Sequence, residues 1–461
     1  MFGTLAIIIS LILLMYFAYR GWTVLLIAPL MAMLAVLLSG DGVALMPFYT
    51  DTFMTAVGNY LIKFFPIFLL GALFGQLMAD SGAATSIAGG ITQKLGAKHA
   101  ILVVVLVCSL LTYGGVSLFV VAFAIYPIAK RLFSEANIPK RLIPASIALG
   151  SFTFTMTALP GTPAIQNAIP IPFYGTNAFA APGLGLIGAG IMFGLGMWWL
   201  KRQAKIAGSK GEGYGNHDDG TKDALVTSDM PFGLAILPLF LVIAINAILT
   251  YMVFPNMDFG FLTEKFPDLA VKGQLGIWSI IIALVVACAV LVVLNLKRLK
   301  GLQGTVNTGV YGSMLPIFNT ASEVGYGAVI AALAGFAVIR DSVLSIAPNN
   351  PLISEAVAMT ALAGITGSSS GGLSIALQTL GEDYLRMAVE NNIDPELLHR
   401  VAVMAAGGFD TLPHCGAVIT LLSICHLNHK QAYMNIAAVT IGVPWVATIS
   451  VIALGTMFGS F

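Results

Sequence analysis

The chain is 461 residues long, 58% hydrophobic and 9% charged, with a formal net charge of +1. A soluble globule of that length needs far more polar surface, so the chain is read as dissolved in lipid, with no soluble enzyme domain. The near-neutral balance speaks against a nucleic-acid partner, and Cys108, Cys288, Cys415 and Cys425 lack CxxC spacing, so neither a metal nor a cofactor is expected.

In chain order, Leu5–Tyr19 and Val24–Leu38 are the first runs without Asp, Glu, Lys or Arg, followed by Pro231–Val253, Leu275–Leu294 and Val439–Leu454. Most approach the roughly 20 residues that a helix needs to span a bilayer. Strand-like alternation is absent, which argues against a β-barrel. Met1-Phe2-Gly3 offers no basic n-region and no cleavage site follows, so the first run reads as a retained helix. Residues 1–54 are read as N-terminal transmembrane helices and 231–300 as connecting ones. Lys201–Met230, rich in Gly and charge, reads as a flexible cytoplasmic linker, assigned to 203–230.

Basic residues collect in cytoplasmic loops. Arg20, Lys94 with Lys98, Lys130-Arg131 with Lys140-Arg141, Lys201-Arg202-Lys205 and Lys297-Arg298-Lys300 are threaded to the inside, and segments 40–55, 255–272 and 340–352 to the outside. Residues 99–129 then begin and end on one face. Their limbs, Ile101–Thr112 and Leu118–Ala129, are about 12 residues each, roughly 18 Å at the helical rise and too short to cross. This segment is read as a re-entrant helical hairpin with its tip at Tyr113-Gly114-Gly115-Val116-Ser117.

The same signals recur further on. Phe65-Pro66-Ile67-Phe68 returns as Leu315-Pro316-Ile317-Phe318, Gly114-Gly115-Val116-Ser117-Leu118 as Gly371-Gly372-Leu373-Ser374-Ile375, and Leu159-Pro160-Gly161 as Leu412-Pro413-His414, at offsets of 250, 257 and 253. Constant order at nearly constant offset indicates a duplication. Lys130–Arg141 holds four basic residues against Glu135, a net +3, whereas Gly381–Arg400 holds two arginines against five acids, a net −3. Opposite signs imply inverted repeats. The expected fold is an all-α polytopic membrane protein with two inverted-topology repeats, 55–202 and 301–461. The first holds a hairpin at about 99–129 and a broken helix at about 142–173. The second holds a hairpin at about 353–381, entering from outside, a broken helix at about 400–425 and a C-terminal helix.

Two hairpins and two breaks, Leu159-Pro160-Gly161-Thr162-Pro163 and Leu412-Pro413-His414, bring interrupted backbone towards the midplane, where it is tolerated only around an enclosed or watery cavity. Free N–H groups at helix N-termini suit a carboxylate there, and the breaks themselves contain no Lys or Arg. The substrate-binding candidates are Gly115 and Ser117 at the first tip, Ser368, Ser369 and Ser370 at the second, and Thr162, Gln166 and Asn167 at the first break. Asn319 and Thr411 complete the set. Small residues at hairpin tips also serve close packing. Asp410 and His414, four apart, and Glu323, in the otherwise uncharged stretch Asn319–Ile330, are the candidates for proton coupling. The competing structural reading makes Asp410 a helix cap and Glu323 a buried, protonated acid. Lys63 and Arg340 lie nearer helix ends and read as snorkelling. The absence of GxSxG and HExxH argues against an enzyme, and the absence of a filter motif leaves an anion channel as a remote alternative.

At Thr157-Ala158-Leu159-Pro160-Gly161-Thr162-Pro163-Ala164-Ile165-Gln166-Asn167 and Gly407-Gly408-Phe409-Asp410-Thr411-Leu412-Pro413-His414-Cys415-Gly416-Ala417-Val418-Ile419 the chain resembles the gluconate:proton symporter (GntP) family of the ion-transporter superfamily. The likeness runs over almost the whole chain and is nearer to the 3-hydroxybutyrate and short-chain-acid permease branch. It implies a multi-pass homodimer of the bacterial inner membrane, with a stationary scaffold and an elevator-like transport domain carrying both hairpins. Few polar groups beyond serines mark the tips, so a short hydroxy-monocarboxylate fits more cheaply than a polyol acid such as gluconate. The expected partners are therefore the lipid bilayer, a small carboxylate anion and protons. Sodium is kept as the alternative coupling ion and gluconate-type acids as the alternative substrate.

Overall fold

The computed structural model describes residues 2–215, 228–267, 269, 271–299 and 301–461. Among these the chain is all-helical and polytopic, with five helices long and apolar enough to cross a membrane, or up to seven if each of two bent pairs counts as one span.

Helices α1 (Phe2–Tyr19) and α2 (Val24–Leu38) lead into the long α3 (Gly42–Asp80), which carries Pro66 inside it. A short α4 (Ala83–Leu95) bends by 103° into the first hairpin, α5 (Ala100–Tyr113) and α6 (Leu118–Glu135). The first broken helix follows as α7 (Ile143–Ser151), α8 (Phe154–Thr157), α9 (Ile165–Ala168) and α10 (Ile171–Tyr174), then the long α11 (Pro182–Ser209). The second half runs α12 (Phe232–Asn256), a surface turn α13 (Gly260–Lys265), α14 (Val271–Asn295) and the long α15 (Leu302–Ala332), with Pro316 inside it. After a 97° bend come α16 (Phe336–Leu344), the second hairpin α17 (Pro351–Thr366) and α18 (Ser369–Glu390), the second broken helix α19 (Pro395–Ala406) and α20 (Gly416–Ile424), and α21 (His429–Phe458).

The same order of elements thus occurs twice, and it takes in α1–α2 and α12–α14, which flank the sequence matches. Packing is reciprocal: α2 lies on α15 as α14 lies on α3, α3 packs against α15, and α11 against α21. In the first half α3 and α11 are long and apolar enough to span a membrane, and α1 and α2 are shorter apolar helices.

Several boundaries differ from expectation. Segment 40–55 is largely helical, because α3 begins at Gly42. The hairpins extend to Glu135 and Glu390, beyond the expected 129 and 381. Their final turns carry the paired charges Arg131–Glu135 and Asp383–Arg386, so helix continues after the apolar run has ended. Likewise α11 continues to Ser209, into the expected linker 203–230. Of that linker, 216–227 lie outside the described residues. Its described start is tied down by Arg141, which donates from Nε to Glu212 Oε1 at 2.6 Å and from Nη2 to Oε2 at 2.9 Å. This hydrogen bonding holds the Glu212 carboxyl below its ordinary pKa. All four cysteines are buried and free.

Candidate functional site

Each hairpin tip meets the break of its own repeat. At the first, Gly115 adopts φ +100°, open to glycine, and a Cβ there would stand 2.9 Å from Pro163 Cγ, while the Tyr113 hydroxyl donates to Pro160 O at 2.7 Å. At the second, Gly367 turns at φ +64° against the His414 ring and the Cys415 backbone. Both glycines let backbone reach interrupted backbone, which side chains would hold apart.

The second tip is the polar centre. Ser368 caps α18 by accepting from the Gly371 N–H at 3.0 Å, and its hydroxyl lies 3.3 Å from that of Ser370. Ser370 in turn lies 3.5 Å from the Thr320 hydroxyl on α15. Ser369 accepts from Gln166 Nε2 at 3.0 Å, joining the second hairpin to the first break, and its side chain also reaches Asp410 in the second break. Glu323, 3% exposed, pushes its carboxyl against Gly371, where a Cβ would lie 1.6 Å from Oε2. Tyr60 of α3 and Ser374 of α18 stand beside it. Gln166 Oε1, Glu323 Oε2 and Asp410 Oδ1 are buried acceptors without a donor among the described residues. The structure therefore gathers Gln166, Ser368, Ser369, Ser370, Glu323, Asp410 and His414 around one hairpin tip.

Asp410 and His414, four apart in sequence, do not share a helical turn. Residues 407–415 are non-helical, so the two side chains meet the tip at different points, Asp410 at Ser369 and His414 at Gly367. Asn319 is not at the tip either: its Oδ1 accepts from the Thr23 hydroxyl at 3.3 Å and from the Leu25 N–H at 3.1 Å, serving the start of α2. Thr411 turns away to the Thr440 hydroxyl of α21, 2.7 Å distant. Ser117 begins α6 without a side-chain cap and lies with its backbone N 3.3 Å from a Cβ built on Gly75 of α3.

The first break departs most from expectation. Asn167 donates from Nδ2 to Ala178 O at 2.8 Å and Thr162 O at 3.1 Å, and its Oδ1 faces His399 Nε2 and accepts from Arg400 Nη1, both at 3.3 Å. Its amide is therefore fully engaged by protein. Thr162 is buried and braces the Ala164 N–H at 3.3 Å. Arg400, assigned to an outside loop, is instead inside α19 with 0% exposure. It donates from Nη2 to Ala180 O at 2.8 Å and from Nη1 to Thr157 O at 3.2 Å, so a break without its own cation borrows one from the other repeat. Asp394-Pro395-Glu396 is a helix-start signature that could have revealed this, since it sets Arg400 more than a turn inside. Glu355 of α17, also 0% exposed, was likewise missed; its Oε1 accepts from the Tyr174 hydroxyl of α10 at 2.5 Å. Lys63 lies 5.5 Å over the Phe173 ring, and Arg340 pairs with Asp341 at 3.1 Å.

Two clefts lie away from the tip. One of about 610 Å³ runs between Ser86, Arg131 and Phe232, and a mainly apolar one of about 540 Å³ between Val357 and Trp445.

No family model matches the chain. A Bacillus subtilis (strain 168) protein described as the uncharacterized transporter YxjC is 46% identical over 468 residues, covering 98% of each chain. The high-affinity gluconate transporter of Escherichia coli (strain K12) is 34% identical over 120 residues, 25% of this chain and 26% of that one. Among solved structures, Neisseria gonorrhoeae MtrF, of a class of antimetabolite efflux pumps, shares the fold, with a TM-score of 0.57 at 12% identity over 91% of this chain and 84% of that one. Near-complete coverage at 46% identity means that this chain belongs to the same family of membrane transporters as YxjC.

Proposed function

We propose that this transporter is a proton-coupled symporter of a small organic monocarboxylate, with 3-hydroxybutyrate or a similar short hydroxy acid as substrate. The observation that carries the reading is the second hairpin tip, where Ser369 stands between Gln166 and Asp410 and where Glu323 abuts Gly371. Among the described residues its unpaired buried groups include three acceptors, on Gln166, Glu323 and Asp410, beside the Tyr60 and Ser374 hydroxyls, and the acceptors suit an incoming proton and a ligand with a hydroxyl donor. The tip serines are mutually engaged, so few hydroxyls remain to satisfy a polyol chain on desolvation. The negative ligand end is matched by the N-terminus of α18.

Membership of the GntP family, an elevator motion of both hairpins, a homodimer and a bacterial inner-membrane location belong to the same reading. The partial similarity to a gluconate transporter favours sugar acids as the second reading.

Liposomes holding the purified chain decide between them. Labelled 3-hydroxybutyrate is expected to accumulate when an inward pH gradient is imposed and not when a sodium gradient is imposed alone. Acceleration by sodium alone overturns the proton assignment. Competition by gluconate but not by short acids reverses the substrate order.

A further inference from the structure

Glu355 lies one turn inside α17, roughly 18 Å from the second hairpin tip at Gly367 at 1.5 Å per residue. It is 0% exposed, and its carboxyl faces α10 of the first repeat, where the Tyr174 hydroxyl donates to Oε1 at 2.5 Å. Its second oxygen has no hydrogen-bond partner among the described residues, and the Tyr384 hydroxyl of α18 lies nearby. A carboxylate in such a place, without a cation, is among the most costly groups a protein can bury.

Among the described residues the charged groups on the surrounding helices are engaged elsewhere; from α3, Lys63 lies 5.5 Å over the Phe173 ring of α10. From α19, His399 is engaged by the Thr176 hydroxyl at 2.6 Å and by Asn167, and Arg400 by the carbonyls of Thr157 and Ala180, while Glu396 accepts from the Ala181 N–H at 3.0 Å. From α18, Asp383 is held by Arg386 at 2.6 Å. On α16, Arg340 and Asp341 pair with each other at the surface. α1 (Phe2–Tyr19) contains no Asp, Glu, Lys, Arg or His. α21 touches α17 near Thr456, far from its own His429 and Lys430.

We propose that Glu355, hydrogen-bonded to Tyr174 across the junction of the second hairpin with the first broken helix, is a proton-binding site whose occupancy lets that junction close. This rests on the proton-coupled reading above and adds to it a site remote from the tip. When α17 and α10 separate, the carboxylate is hydrated and takes a proton from the solution on that side. Closure then buries a neutral acid accepting from Tyr174, and reopening returns the proton to water. The ionised form opposes closure, so the junction couples proton occupancy to hairpin movement.

Two measurements on the full chain in lipid test this. Infrared spectra of wild type and Glu355→Gln are compared through neutral and mildly alkaline pH. A carboxylic-acid carbonyl band present in the wild type and missing from the variant supports the proposal; identical bands at every pH overturn it, whatever ion drives transport. Exchange of labelled for unlabelled 3-hydroxybutyrate is then followed against pH. Gln mimics the protonated acid and keeps the Tyr174 bond, so the variant should exchange at a rate that varies less than about twofold over a pH range in which wild-type exchange falls about tenfold, the effect of one titrating group. It should also lose accumulation under a pH gradient. A variant that retains the wild-type pH profile and accumulation overturns the proposal. A wild type driven by sodium alone defeats the proton-coupled reading, and the infrared comparison still decides the Glu355 proton.

Discussion

At the scale of single residues, the contact of Gly371 with Glu323 is the tightest point of the polar tip. A methyl group at Gly371 would stand 1.6 Å from Glu323 Oε2, and a carboxyl that is 3% exposed has little room to withdraw. Gly371→Ala is therefore expected to lower stability by about 1–3 kcal/mol, the range of core overpacking, and to reduce uptake. In Glu323→Ala the obstacle is gone, so adding Gly371→Ala should cost much less. Thermal unfolding of both single variants and the double variant checks this, and strict additivity would refute the contact. Glu323 was legible as a lone charge in an apolar stretch, as was Asp410 in the second break. Glu355 was not singled out, although Asn350-Pro351 marks the start of its helix.

At the scale of elements, both hairpins and both breaks were legible from short apolar limbs, paired glycines and prolines. Limb lengths were not, because the apolar runs stop at the first charges while the helices continue on surface pairs such as Arg131–Glu135. An elevator motion requires a hairpin tip to slide along the long helices. The first tip touches α3, with Ser117 N 3.3 Å from a Cβ built on Gly75. A disulfide between Gly75→Cys and Ser117→Cys is expected to cut uptake at least about tenfold, the effect of about 1.4 kcal/mol on the rate-limiting movement, and a reductant should restore it. Unchanged uptake by fully cross-linked protein would argue against the movement.

At the scale of the molecule, the duplication joins helices that are distant in sequence: α2 with α15, α14 with α3, and α11 with α21. With the two repeats inverted, the ends of the two hairpins should face opposite solutions. Glu135 and Glu390, whose side chains are 47% and 64% exposed, mark those ends. Cysteines placed there should react with an impermeant thiol reagent from opposite sides of the membrane; labelling of both from one side would refute the assignment.

Sequence by itself determined that the chain lies in lipid, that it is duplicated, and where its hairpins and breaks fall. These follow from composition, loop charge and local glycine and proline chemistry, which act over a few residues and need no partner. Tertiary structure alone decided which groups meet. It sent Arg400 into the other repeat's break, engaged Asn167 there, drew Asn319 to the start of α2 and set Glu355 against Tyr174. In a low-dielectric interior each buried polar group must find a partner, and here those partners come from remote helices whose packing no local signal encodes.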